Sequence, residues 1–412
     1  MRSLKLATAA AVAGVVLQAA VSVQAQGLPF TVSNRLRLEY DDNIRQRPED
    51  KDDSVKIVNQ LQLMTAIDLE QTFISLRYSP SIVYWFDRSE DSSDIHHEAD
   101  ISLTHQFSPQ LSLSLTDTFR YADLPELRTD DALGLVLRRD NTYIFNVARG
   151  SLAFRPQPAT TFKVDGAYTI IRYDDDFVAS RDDYDIWAAG LTMQQVLTAQ
   201  TSLSLVANME ETEYKGDLEP VVDLSGNVID RGRGDRGSKT YQVGAGLQHT
   251  FSPQALGSFV AGYQTKDYNA SNVSSSSNPY ATASVTVLPS PRTRLSAGAS
   301  HSMYEADVYP FSNQDRTSVF ASVGHDLTSK LDFNVNATYI MGKYDSKETV
   351  ETVREVDVID GDDDAVQLST RLRYNVAVNN YLELGYQYTD ISSDVRADYT
   401  RNRYWIGWQT RL

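Results

Sequence analysis

The side chains able to do chemistry in this 412-residue chain are few in kind. Six histidines (His96, His97, His105, His249, His301 and His325) are the candidate metal ligands and proton-transfer groups, and there is no cysteine. None of the histidines shows the paired spacing of a metal site. No GxSxG elbow and no HExxH helix motif is present. The acidic run DGDDD at 360–364 lacks the spacing and the closing Glu of a calcium loop. No catalytic residue, metal or cofactor is expected. The arginines are the more informative set. Arg35 and Arg37 lie two apart, as do Arg371 and Arg373, and Arg401 and Arg403, with Arg411 further on and Glu39 and Glu383 among them. Guanidinium groups are weakly hydrated and hold carboxylate or phosphate through paired donors.

A spacing of two is the period of a β-strand, in which successive side chains point to opposite faces. That period dominates the chain. In LDFNVNATYIMGKY at 331–344, Leu331, Phe333, Val335, Ala337, Tyr339 and Met341 share one face, and Asp332, Asn334, Asn336 and Thr338 the other. Eighteen such segments can be marked, near 29–40, 54–69, 71–86, 95–107, 110–121, 140–156, 159–173, 183–197, 199–214, 239–251, 254–268, 278–288, 292–305, 315–327, 330–344, 364–377, 380–391 and 399–412. No 3.6-residue periodicity persists beyond two turns. The connections alternate in kind. Eight are very short, including FSPQ turns at 107–110 and 251–254, and nine are longer and acidic, such as 41–53, 87–94, 215–238 and 345–363.

Short turns at one end and long polar loops at the other describe an up-and-down antiparallel meander. Segments of 12–16 residues exceed the usual soluble strand of about 5–6 residues and suffice for a tilted membrane strand. Aromatic residues cluster near segment ends (Tyr40, Tyr84, Phe86, Phe107, Tyr121, Tyr173, Tyr214, Phe251, Tyr304, Tyr344, Tyr388 and Tyr404), as in interfacial girdles. The expected fold is therefore all-β: a transmembrane up-and-down antiparallel barrel of about eighteen strands, sixteen being the alternative, with short periplasmic turns and long acidic extracellular loops. In a bilayer the sheet must close, so the first strand pairs with the last.

The leader MRSLKLATAAAVAGVVLQAAVSVQAQ has a basic start, an apolar run and small residues at 23 and 25, the form of a signal peptide spanning 1–25 with the barrel at 26–412. The net charge of −17 becomes about −19 without Arg2 and Lys5, which speaks against nucleic acid as a partner. The apolar face is expected to meet outer-membrane lipid and lipopolysaccharide. The last strand, with Tyr404, Ile406, Trp408 and Leu412 on one face, resembles the signal read by the barrel assembly machinery. The acidic loops have two readings: a site for divalent cations shared with lipopolysaccharide, or a solvated, mutually repelling set. Four of the histidines fall on lipid-side positions near strand ends.

Alternation puts Arg35, Arg37, Glu39, Arg371, Arg373, Glu383, Arg401, Arg403 and Arg411 on the lumenal face. Closure makes the first and last strands neighbours and gathers five of these arginines there. Two readings stand side by side: an arginine wall guiding anionic or hydroxyl-rich solutes, and arginines paired with lumenal carboxylates that brace the barrel.

The stretch LRLEYDDNIRQRPEDKDDSV, with EYDDNI at 39–44, resembles the first hairpin of the Putative beta-barrel porin 2 family. The similarity in pattern extends over 29–412. The resemblance implies an outer-membrane barrel in a polysaccharide secretion system, passing an exopolysaccharide chain with a periplasmic export lipoprotein as partner. Composition and pattern leave two alternatives beside it: a general or substrate-selective diffusion porin, and a closed structural or adhesive barrel. An enzyme is not expected.

Overall fold

The structure is a computed structural model that describes residues 30–88, 92–123, 141–215, 221–222, 228–230, 237–269, 274–306, 313–345, 361–395 and 397–412. The leader reading on 1–25 lies outside them, as does most of the acidic stretches 215–238 and 345–363. The elements follow the marked segments closely: β1 (Phe30–Asp41), β2 (Ser54–Asp68), β3 (Thr72–Tyr78), β4 (Ser81–Trp85), β5 (Ser93–Ser108), β6 (Leu111–Ala122), β7 (Tyr143–Gln157), β8 (Thr160–Tyr173), α1 (Asp176–Asp182), β9 (Tyr184–Thr198), β10 (Thr201–Tyr214), β11 (Val221–Val222), β12 (Val228–Asp230), β13 (Ser238–Ser252), β14 (Ala255–Tyr268), β15 (Ser276–Ser290), β16 (Thr293–Glu305), β17 (Asn313–Asp326), β18 (Leu331–Asp345), β19 (Gly361–Ala377), β20 (Asn380–Ser393) and β21 (Tyr399–Arg411).

Each wall strand pairs antiparallel with its sequence neighbour, and β1 closes on β21 from Ser33↔Arg411 to Asp41↔Arg403. The result is a closed antiparallel barrel of eighteen strands, because β3 and β4 are two halves of one. The third segment, read as continuous, is broken at Ser79–Pro80, since proline has no N–H to give the ladder. The Pro80 carbonyl still accepts from Leu61 N at 3.0 Å, and the register to β2 is the same on both sides of the break, so the strand stays in the wall.

The short turns have a repeated chemistry. In both FSPQ copies the serine, Ser108 or Ser252, accepts from the backbone N–H two residues on, at 3.2 Å. Ser290, Thr198 and Thr328 do the same in other turns. A hydroxyl that satisfies the turn N–H, with Pro109 or Pro253 presetting φ, reverses the chain without ladder donors. In the turn after β19, Asn379 takes φ 63°, a left-handed position asparagine tolerates.

The outside of the wall is apolar. Leu36, Leu38, Leu191, Leu205, Val243, Phe259, Ile406 and Trp408 are all exposed. A contiguous apolar surface of this extent is the face of a membrane protein. Phe107 and Phe251 stand on it at the short-turn end, edge-on to His105 and His249. The girdle reading needs correction at four positions: Tyr173, Tyr214 and Tyr304 line an interior cavity, and Tyr344 is 1% exposed. Nor is the inner face polar throughout. Ile340, Ala365, Ile391 and Tyr399 form one buried row across β18–β21, and Tyr143, Phe145, Val147 and Ile171 another patch. These lie at the long-loop end, where side chains are covered by protein rather than by lipid or bulk water.

Candidate functional site: the barrel interior

All nine residues expected on the lumenal face share one face of the sheet: the registers Arg37↔Gly407↔Glu383↔Arg373 and Arg371↔Gly385↔Trp405↔Glu39 carry them row by row. The structure brings six of them together at the closure seam. Arg35 donates from Nε to Glu383 Oε1 at 3.0 Å, and its Nη2 lies 2.5 Å from the same oxygen. Arg37 Nη1 is 3.7 Å from Glu39 Oε2, while Glu39 Oε1 takes Lys56 Nζ at 3.1 Å. Arg403 donates to Gln387 Oε1 at 2.5 Å. Arg401 makes a two-pronged contact with Asp41, Nε to both carboxylate oxygens at 3.0 Å and Nη2 to Oδ2 at 2.5 Å. Arg373 is set apart, paired with Asp332 at 2.8 Å and lying over the Tyr381 ring. Arg371 stands beside it with a buried Nε that has no hydrogen-bond partner among the described residues. Arg411 is exposed at the short-turn rim and does not join the cluster. Ion pairs thus run along the closure seam.

Sequence reasoning missed Asp41, Lys56 and Trp405. Asp41 falls in the acidic stretch 41–53, which reads as loop, yet β1 runs to it and buries it completely. Trp405 sits between outward Tyr404 and Ile406, so parity alone places it inside. There its Nε1 donates to Glu383 Oε1 at 3.1 Å. Its indole lies flat over Gly385, where an added Cβ would collide with the ring. Gly385→Val should therefore displace Trp405 and lower barrel stability by about 2–3 kcal/mol. The urea midpoint and the tryptophan emission of the vesicle-inserted protein measure this, and an unchanged midpoint would contradict it.

The EYDDNI motif resolves residue by residue into this seam. Glu39 and Asp41 take the cations described. Tyr40 faces outward beside Tyr404. Asp42 accepts from Asn402 N at 2.6 Å and from its Nδ2 at 2.7 Å. Asn43, fully buried, donates to Thr400 O at 3.0 Å and Arg47 O at 2.7 Å and accepts from Arg47 N. Ile44 folds inward onto Val58, Val83 and Trp85. Trp85 is itself fully buried, held by Asp94 and stacked under Lys56 and Arg88. The motif ties the first loop down inside the barrel.

A second element narrows the bore. The β15–β16 ladder ends at Ala281↔His301, although β15 continues to Ser276 against β14 and β16 continues to Glu305 against β17. Beyond His301, β16 bends into the lumen. Ser302 Oγ donates to Gln264 Oε1 at 2.9 Å. Glu305 accepts from Tyr214 and Ser238 hydroxyls at 3.3 Å each and pairs with Lys266. These partners sit on β10, β13 and β14, across the interior. Between the infolded end and the β6–β10 wall lies a cavity of about 650 Å³.

The histidines do not converge. His105, His249, His325 and His301 each meet a threonine hydroxyl on the next strand at 2.7–2.9 Å. His97 meets the Tyr78 hydroxyl. His96 pairs with Asp123, just beyond β6. Burial raises the Asp123 carboxyl pKa, but the hydrogen bond and charge of His96 outweigh it and hold the group below its usual range. DGDDD also reads differently: β19 begins at Gly361, so Asp362, Asp363 and Asp364 belong to the strand, with Asp364 accepting from Tyr339.

An apolar outer belt, a closed eighteen-stranded wall and a charged, partly narrowed interior define an outer-membrane β-barrel channel of the porin type. The chain belongs to the family described as Putative beta-barrel porin 2, whose model matches residues 30–412. Comparison with curated proteins finds no match. Among solved structures, the chain is similar to Acinetobacter baumannii OccAB4 (12% identity, 94% of this chain and 99% of that one, TM-score 0.47). It is also similar to Pseudomonas aeruginosa OpdL (14% identity, 93% and 99%, TM-score 0.44).

Proposed function

We propose that this barrel is a diffusion channel selective for small polar and charged solutes. The observation that carries the reading is the narrowing of the lumen by the first loop and the β16–β17 end, which leaves a cavity of about 650 Å³ edged by both signs of charge. A chamber of that size suits a small molecule rather than a bulky chain. The test is reconstitution without partners. The purified barrel should conduct KCl in planar bilayers, and liposomes carrying it should swell in small sugars but not in dextran. A barrel that conducts nothing would sink the reading and favour a closed structural role.

A second reading has its own support. Tyr173, Tyr184, Tyr214, Tyr280 and Tyr304 line the cavity, and aromatic faces with hydroxyl tips suit sugar rings. On that reading an exopolysaccharide chain passes through a widened bore, supplied by a periplasmic export lipoprotein. Deleting the gene separates the two: unchanged exopolysaccharide secretion with reduced small-solute uptake refutes export. In either case the outward belt would meet outer-membrane lipid and lipopolysaccharide, and the last strand the barrel assembly machinery.

A further inference from the structure

One lumenal row crosses the cavity wall. The registers Arg149↔Ala167, Ala167↔Ala188 and Ala188↔Glu210 place Arg149 on β7 and Glu210 on β10, with two alanines between them. Three strand spacings separate the two backbone positions by about 14 Å of concave wall, from which both side chains project into the cavity. Alanine side chains leave the space above them open, and Gly190 lies in the next row, beside Asn208. All of these residues line the same cavity.

The other cations of the cavity are engaged. Lys163 pairs with Asp165, Lys266 with Glu305, and Arg316 donates to Gln314. Arg149 and Glu210 form no hydrogen bond or salt bridge among the described residues. Lys266 and Glu305 are the charges that face Glu210 from the infolded side, and they already hold each other. A neutral solute would leave both Arg149 and Glu210 desolvated without a partner, which is costly. A simple anion would satisfy Arg149 but face the charge of Glu210, and a simple cation would meet the reverse. Only a molecule carrying both charges satisfies both ends.

We propose that this cavity is a binding site for small zwitterions, with the carboxylate held by Arg149 and the ammonium by Glu210. The proposal rests on the channel reading above. It assigns Arg149 the two-pronged contact that guanidinium makes with carboxylate. Asn208 and Tyr280, whose hydroxyl is buried without a partner, stand beside the site to take further polar atoms of the solute.

The test uses the full-length barrel in planar bilayers, with block of the KCl current as readout. The probes are 4-aminobutyrate, butyrate and butylamine, which share a carbon skeleton and differ in charge. The zwitterion should half-block at a concentration about tenfold below either singly charged probe, the difference expected for one more charge-assisted hydrogen-bonded contact. Arg149→Gln should raise the zwitterion's value to that of butylamine, and Glu210→Gln to that of butyrate. Equal half-blocking concentrations for the three probes in a conducting wild-type barrel would overturn the site and leave the channel reading standing. A wild-type barrel that conducts no KCl would overturn both. The wild-type comparison decides even where a variant fails to insert.

Discussion

Asp41→Asn should lower the unfolding free energy of the barrel by about 3–5 kcal/mol, the range for breaking a buried ion pair by removing one partner. Both members are deeply buried, with side-chain exposures of 0% for Asp41 and 7% for Arg401. The pair joins the first strand to the last, so the loss falls on the contact that closes the sheet. The neutral amide cannot compensate a guanidinium left inside the wall. The cost should be specific to the charge imbalance. The double variant Asp41→Asn, Arg401→Met should recover much of it, because replacing both partners removes the orphaned charge. Arg411→Gln, at the exposed rim, should change stability by no more than about 0.5 kcal/mol. Urea unfolding from vesicles, followed by tryptophan emission and by the heat-shifted gel band, measures all three. If Asp41→Asn and Arg411→Gln proved equally mild, the seam would not be the clasp described.

Glu305→Ala should open the bore. This carboxylate holds the infolded end of β16 through Lys266, Tyr214 and Ser238 on three other strands. Removing it leaves Lys266 buried without its ion partner, a loss of about 3–5 kcal/mol. That is enough to shift the ratio of infolded to released hairpin by more than about a hundredfold. Single-channel recordings should show a second, larger conductance level, visited often in the variant and rarely in the wild type. A single unchanged level would mean that the inward bend is set by the β16–β17 ladder itself rather than by Glu305.

Both predictions turn on residues that were only partly legible in the sequence. The spacing of Arg401 places it on the lumenal face, but its partner Asp41 opens the acidic run DDNIRQRPEDKDD, which reads as a solvated loop. What extends β1 to Asp41 is the closing strand, whose Arg401 lies 360 positions away in the sequence but beside it in the sheet. Alternation over 292–305 puts Glu305 at the end of a regular strand. Its inward course follows from a ladder that stops at His301, and local alternation carries no mark of that. Trp405 could have been found, because parity sets it opposite Tyr404 and Ile406.

The division has a physical reason. Period-two alternation, turn hydroxyls and loop length are local properties, each decided by a strand's two faces or by one chain reversal. They determined by themselves a strand number near eighteen, which face is apolar, which end carries the long loops, and that β1 must meet β21. Which side chains meet across the interior depends on the stagger of a closed barrel and on where its loops fold. Only the tertiary structure decided that the arginines of the seam are braced by Asp41, Glu39 and Glu383. It alone set Arg149 and Glu210 on one row, and turned the ends of the first loop and of β16 inward to make a chamber of the bore.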